Sequence, residues 1–218
     1  MDKYLLEEKF KDFVLSSQYP CLGAKSAVNN KSFQIGRYSE LGTADSAEAL
    51  ARDLRKFVSE RGAIKSKFTT FVAIFEGPIS IPEKAFEDLL WKQLSLLISQ
   101  DDQAWNDTVS SNPEDNNFGF SFDGTAFFIV GLHNKSSRFS RRFAYPTLVF
   151  NPHDQFEFLK KSGKYSKMQS MIRKRDSTLQ GAINPMAADF GTISEARQYS
   201  GRAVSEDWKC PFLHKQNK

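Results

Sequence analysis

Two spacings of apolar residues alternate along the chain, and each predicts a different element. Helical spacing comes first. Leu5, Leu6, Phe10, Phe13 and Val14 form one stripe between charges, predicting a helix over 2–17 that ends at Tyr19-Pro20-Cys21. The same spacing returns over about 47–60, with Asp45 or Ser46 as cap and Gly62 as stop. It returns after Ile81-Pro82-Glu83, where Phe86, Leu89, Leu90, Leu94, Leu97 and Ile98 give an apolar face through Ser99. Further helices are predicted over 154–161 and about 165–179, with short ones around 187–190 and 195–199.

Strand-like runs lie between the helices. Residues 31–38 place Phe33 and Ile35 on one face, and 68–75 are rich in β-branched and aromatic residues up to Gly77-Pro78. Residues 125–132 and 147–150 are nearly continuous apolar runs, the pattern of strands buried on both faces. Residues 22–28 are small and read as a turn or a short helix; 101–117 read as a polar loop anchored by Trp105. Strands interleaved with helices predict an α/β fold in the broad sense, mixed α+β: a single domain over 1–218 with a central mixed sheet packed by helices. The site-bearing half is expected over about 120–212, and the strand order is not legible.

Composition narrows this picture. With 218 residues, 40% of them hydrophobic, the chain suits one real core. Twenty phenylalanines point to a thick core or an apolar pocket. The net charge is +4, with Lys and Arg scattered among acids, so a nucleic-acid surface is not expected. No apolar run is long enough to cross a bilayer and no signal peptide is visible, so a cytoplasmic protein with reduced Cys21 and Cys210 is expected. No Gly-rich loop follows a strand in the form that nucleotides require.

Candidate chemistry concentrates between Phe150 and Phe212. His153 and His133 each follow a buried strand, where open sheets place ligands, and an imidazole there suits a metal, haem iron or a general base. The competing reading is a hydrogen-bonded turn histidine. Arg138, Arg141 and Arg142 form a basic cluster suited to carboxylates or phosphates. Asp176, Asp189 and Glu195 lie among Arg173, Arg175, Arg197 and Arg202, as structural ion pairs or as partners of a cationic ligand. Cys210 is either a buried thiol or a thiolate ligand.

Several motifs carry a likeness. They are Pro20-Cys21-Leu22-Gly23-Ala24, Asp123-Gly124-Thr125-Ala126-Phe127-Phe128, Gly131-Leu132-His133, Ser137-Arg138 and Arg141-Arg142-Phe143. Asn151-Pro152-His153-Asp154-Gln155-Phe156, Arg173-Lys174-Arg175-Asp176, Asn184-Pro185-Met186, the run from Ser194 to Arg202 and Trp208-Lys209-Cys210-Pro211-Phe212 complete the set. In this order they resemble the YqcI/YcgG family. That family includes haem-dependent N-hydroxylases of guanidino groups, of the D-cycloserine and guanitoxin biosynthesis type. The resemblance implies haem b, O2 and a small cationic amino-acid or amine substrate.

On that reading His153 is the first candidate for the iron, His133 the second and Cys210 the third. Arg138, Arg141 and Arg142 would hold the propionates. Glu195, Asp189 or Asp176 would meet the guanidinium, with Arg197 or Arg202 on the substrate carboxylate and Asn184 and Tyr199 nearby. Glu195, Asp189 and His133 are the candidates for catalysis. No flavin or iron–sulfur motif is visible, so electrons would come from an external donor or from peroxide. No nucleic-acid or membrane partner is expected, and a homodimer stays open. Two alternatives remain: a haem sensor, carrier or peroxide-using protein, and a cofactor-free binding protein.

Overall fold

A computed structural model describes residues 2–66, 68–182, 184–186, 188 and 191–212. Among them are five strands and seven α-helices. The strands are β1 (Phe33–Glu40), β2 (Thr70–Gly77), β3 (Phe120–Phe122), β4 (Thr125–Leu132) and β5 (Thr147–Pro152). The helices are α1 (Lys3–Leu15), α2 (Leu22–Asn29), α3 (Ala44–Glu60), α4 (Glu83–Ile98), α5 (Asp154–Lys161), α6 (Tyr165–Gln180) and α7 (Ala196–Tyr199). The mixed α+β architecture expected from the pattern is the one observed.

The sheet runs β1-β2-β5-β4-β3. β1 and β2 are parallel, joined by the α3 crossover; every other pair is antiparallel. Alternation along β2 shows how the sheet divides two cores. Phe71, Ala73 and Phe75 face α3 and α4, while Val72 and Ile74 face α1 and α2. Leu6, Phe10 and Val14 deliver α1 to the second core, but Leu5, expected in the same stripe, is 47% exposed. The cap of α3 is Thr43, whose hydroxyl accepts from the Ser46 amide, rather than Asp45 or Ser46. Residues 22–28 form helix, and β3, three residues long, was not expected.

Two features position the site. Gly131 on β4 leaves a gap into which the end of α7 settles. A Cβ there would lie 2.8 Å from the Tyr199 carbonyl oxygen and 2.8 Å from the Phe86 ring. The α5–α6 hairpin, turned by Gly163 at φ +67°, is the second. α6 contains no fully buried residue over 16 positions. Its C-terminal half is tied down instead by polar contacts. Asp176 pairs with Arg138 and accepts from Ser140, and Arg175 donates to the Ser17 and Tyr19 carbonyls.

Candidate functional site

β5 ends at Pro152, and the His153 amide adds one more hydrogen bond to the sheet, 2.9 Å from the Ala126 carbonyl. The His153 carbonyl then accepts from Phe156 N at 2.9 Å as α5 begins. The backbone is thus held on both sides, and the imidazole has a fixed base. Its Nε2 lies 3.0 Å from Glu195 Oε1. The Tyr199 hydroxyl, one helical turn after Glu195, donates to the same oxygen at 2.5 Å and accepts from the Phe120 amide at 3.1 Å. All three side chains are buried. Among the described residues Glu195 Oε2 has no hydrogen-bond partner.

These groups open onto a cavity of about 230 Å³. Phe128 and Phe156 form one wall; Met168 and Ile172 from α6 form the other, with Ile193 beside them. The lining also carries Arg173 and an ion pair of Lys160 with Glu157 at 2.6 Å. Burial raises the Glu195 pKa above the ordinary carboxylate value, against the lowering effect of His153 and Tyr199. The Tyr199 phenol is pushed well above its ordinary value, first by burial and then by the adjoining Glu195. A buried carboxylate with one oxygen engaged and the other open is suited to orient an imidazole, share a proton or meet a cation.

Of the residues expected from sequence, the fold brings together His153, Glu195 and Tyr199. His133 is placed elsewhere. β4 and β5 are antiparallel, so their C-terminal ends lie at opposite edges of the sheet. The run from Ala126, beside His153, to His133 spans roughly 20 Å. His133 therefore cannot act across a shared pocket from His153, and it is not a second ligand there. Its ring stacks on Phe86 at 4.3 Å, and neither ring nitrogen has a hydrogen-bond partner. Burial lowers its pKa to about 4, with nearby Glu83 opposing and Arg141 reinforcing.

The basic cluster is also corrected. Arg138 is ion-paired with Asp176, which removes both from the propionate and guanidinium roles. Arg141 donates to the carbonyls of Gly131, Gln198 and Tyr199, fastening α7 to β4. Exposed Arg142 lies over the Phe139 ring and donates to the Ser136 carbonyl. Arg197 holds the carbonyls of Ser205, Glu206 and Trp208, and Arg202 pairs with buried Glu87, so neither faces the cavity. Asn184 caps a local turn through the Met186 amide. Cys210 sits in the core and does not line the His153 cavity, and burial pushes its thiol up to about 12, so it is not a free thiolate near neutral pH. Asp189 and most of the helix expected over 187–190 lie outside the described residues.

Sequence reading missed the α6 wall and the lining cations Lys160 and Arg173. Tyr165, Met168, Ile172 and Arg173 do recur at helical spacing, which was the available signal. No helix of the described residues is long and apolar enough to cross a membrane.

The uncharacterized protein YcgG of Bacillus subtilis (strain 168) is 27% identical over 213 residues, covering 91% of this chain and 82% of its own. The uncharacterized protein YqcI of the same organism is 26% identical over 225 residues, covering 97% and 86%. No solved structure matches the chain. The family model described as YqcI/YcgG matches residues 10–213, and the chain belongs to that family.

Proposed function

We propose that this protein is a haem-dependent oxygenase that hydroxylates a nitrogen of a small guanidino or amine compound, and that the His153 cavity is its site. The observation that carries the reading is the buried imidazole–carboxylate pair opening onto an apolar cavity. A ligating imidazole is normally oriented by a hydrogen bond from its other ring nitrogen to a carboxylate or carbonyl, the role Glu195 is placed to serve. The donor set fits haem: one imidazole, aromatic and aliphatic walls, and a guanidinium, Arg173, suited to a carboxylate.

On this reading His153 holds the iron, Glu195 fixes the orientation of its ring, and Tyr199 keeps Glu195 in place. Phe128, Phe156, Met168 and Ile172 exclude water, and Arg173 meets a propionate, Lys160 being paired with Glu157. Bound haem would supply the O2 chemistry that no side chain provides. The cavity, at 230 Å³, lies below the roughly 300–1,000 Å³ typical of sites for drug-sized ligands. A macrocycle therefore requires outward movement of the N-terminal half of α6, which has no fully buried residue, while Asp176 and Arg175 hold the C-terminal half in place.

The same small volume favours a second reading, in which the cavity binds an amino-acid-sized cation directly against Glu195 Oε2. An absorption spectrum of protein expressed with ample haem separates the two. A Soret band that His153→Ala removes or shifts, together with O2-dependent gain of one oxygen by an arginine-like amine, supports the oxygenase. Colourless protein that ignores added haemin but binds agmatine or arginine supports the second reading and rejects the first.

A further inference from the structure

The chain's net charge is not evenly spread in the fold. Residues 154–180, the α5–α6 hairpin, hold seven basic and three acidic residues, an excess of four. The whole chain holds 30 basic and 26 acidic residues, so the remainder carries 23 of each and is neutral. Within the hairpin the two sides differ. The inner stripe of α6, including Met168 and Ile172, lines the cavity. The outer stripe runs Lys164, Lys167, Met171 and Lys174, at helical spacing, and all four are exposed. On α5, exposed Phe158 and Lys161 lie one turn apart. Phe158 is 50% and Met171 46% exposed, so the surface has apolar points among lysines.

We propose that this outer face docks an acidic electron-carrier protein, of the iron–sulfur or flavin class, that reduces the site beneath it. The inference rests on the oxygenase reading. Inserting one atom of O2 into an N–H bond while the other leaves as water consumes two electrons and two protons. The carrier would supply the two electrons, and no flavin or iron–sulfur motif is legible in this chain to supply them instead. A charged rim around a few apolar contacts is the anatomy of a transient protein interface, and complementary charge speeds the encounter. Electron-transfer encounters bury little surface, less than about 1,200 Å², so two short helices suffice. The docked partner would be separated from the cavity by about one helix diameter, roughly 10 Å. A membrane fits less well. An interfacial helix presents a broad apolar face to lipid, whereas two of the apolar residues of α6, Met168 and Ile172, are turned into the cavity.

The test is calorimetric binding of two acidic probes, a [2Fe–2S] ferredoxin and a flavodoxin, at low and high salt. The wild type is compared with K161E/K164E/K167E/K174E and with the milder four-fold Lys→Gln variant. The expected result is binding of at least one carrier at low salt, weakened by salt, and weakened about tenfold or more by charge reversal. Circular dichroism and Tm should stay unchanged, because all four side chains are exposed. The Lys→Gln variant should fall between the two. Three outcomes overturn the proposal: neither carrier binds, the charge-reversed variant binds as well as wild type, or the wild type ignores both carriers and partitions onto phosphatidylserine vesicles. The measurement needs no haem, so carrier binding by colourless protein keeps the docking surface and rejects the oxygenase reading together with reduction of the site beneath the face.

Discussion

His153 and His133 each directly follow a buried strand, yet the two ends of the sheet have become different places. At the His153 end the imidazole has a carboxylate partner, that partner has its own tyrosine, and a cavity lies in front. At the His133 end the ring is enclosed against Phe86 with both nitrogens unpartnered. A strand-end histidine is therefore not a functional signal by itself. What separates the two is a carboxylate 42 residues away in sequence, delivered by a four-residue helix. One end has the makings of a site; the other has only a cost.

The largest test of that difference removes the partnered ring. His153→Ala leaves Glu195 buried without its nitrogen partner and should lower unfolding free energy by about 3–5 kcal/mol in urea titrations. A loss below about 1 kcal/mol would mean that the pair contributes nothing special.

Next is the unpartnered ring. The pKa of His133 is about 4 in the fold against an ordinary value of 6.5, so the unfolded chain takes up a proton more readily. Its stability contribution is present above pH 6.5 and should be lost progressively as pH falls towards 4, by about 3 kcal/mol. Glu195, with its raised pKa, acts in the opposite sense: protonation on acidification favours the fold. Comparing wild type with His133→Phe cancels the Glu195 contribution. The variant should lose the acid-sensitive window and keep the contact with Phe86. Parallel pH profiles for the two proteins would break the comparison.

A smaller effect is expected at the hydroxyl that steadies Glu195. Tyr199→Phe deletes the hydrogen bond to the buried carboxylate and the hydroxyl's contact with the Phe120 amide, for a loss of about 1–3 kcal/mol by thermal unfolding. On the oxygenase reading it should also shift the Soret band less than His153→Ala does. The smallest effect belongs to Arg142→Ala. The side chain is exposed and away from the cavity, so Tm should change by little more than the equivalent of about 0.5 kcal/mol, and any haem spectrum should not change. A lost spectrum would restore the propionate role that the fold removes.

These contrasts also show what sequence could carry. The pattern predicts β4 and α5 at their observed bounds, because continuous apolar runs and 3.6-residue periodicity are local properties. The neighbour of each strand is not local. Placing β5 between β2 and β4 is decided by side-chain packing across the whole sheet, and with it goes the separation of the histidines. The arginines illustrate the same limit. Arg138, Arg141, Arg197 and Arg202 resemble ligand groups in sequence, but each meets a carboxylate or a row of carbonyls that lies beyond a loop or on another element. Residue type announces the capacity for a contact; topology assigns the partner.

Gly131 shows how narrow that assignment is. Its missing side chain works as a gauge block: it sets the height at which the Tyr199 backbone seats on β4, with a clearance smaller than one methyl group. Glu195 is one turn away on the same rigid segment, so the alignment of carboxylate with imidazole is machined into the sheet at a position that touches neither. The working tolerance of the cavity is thus stored in an absence, remote from every group that would do chemistry there.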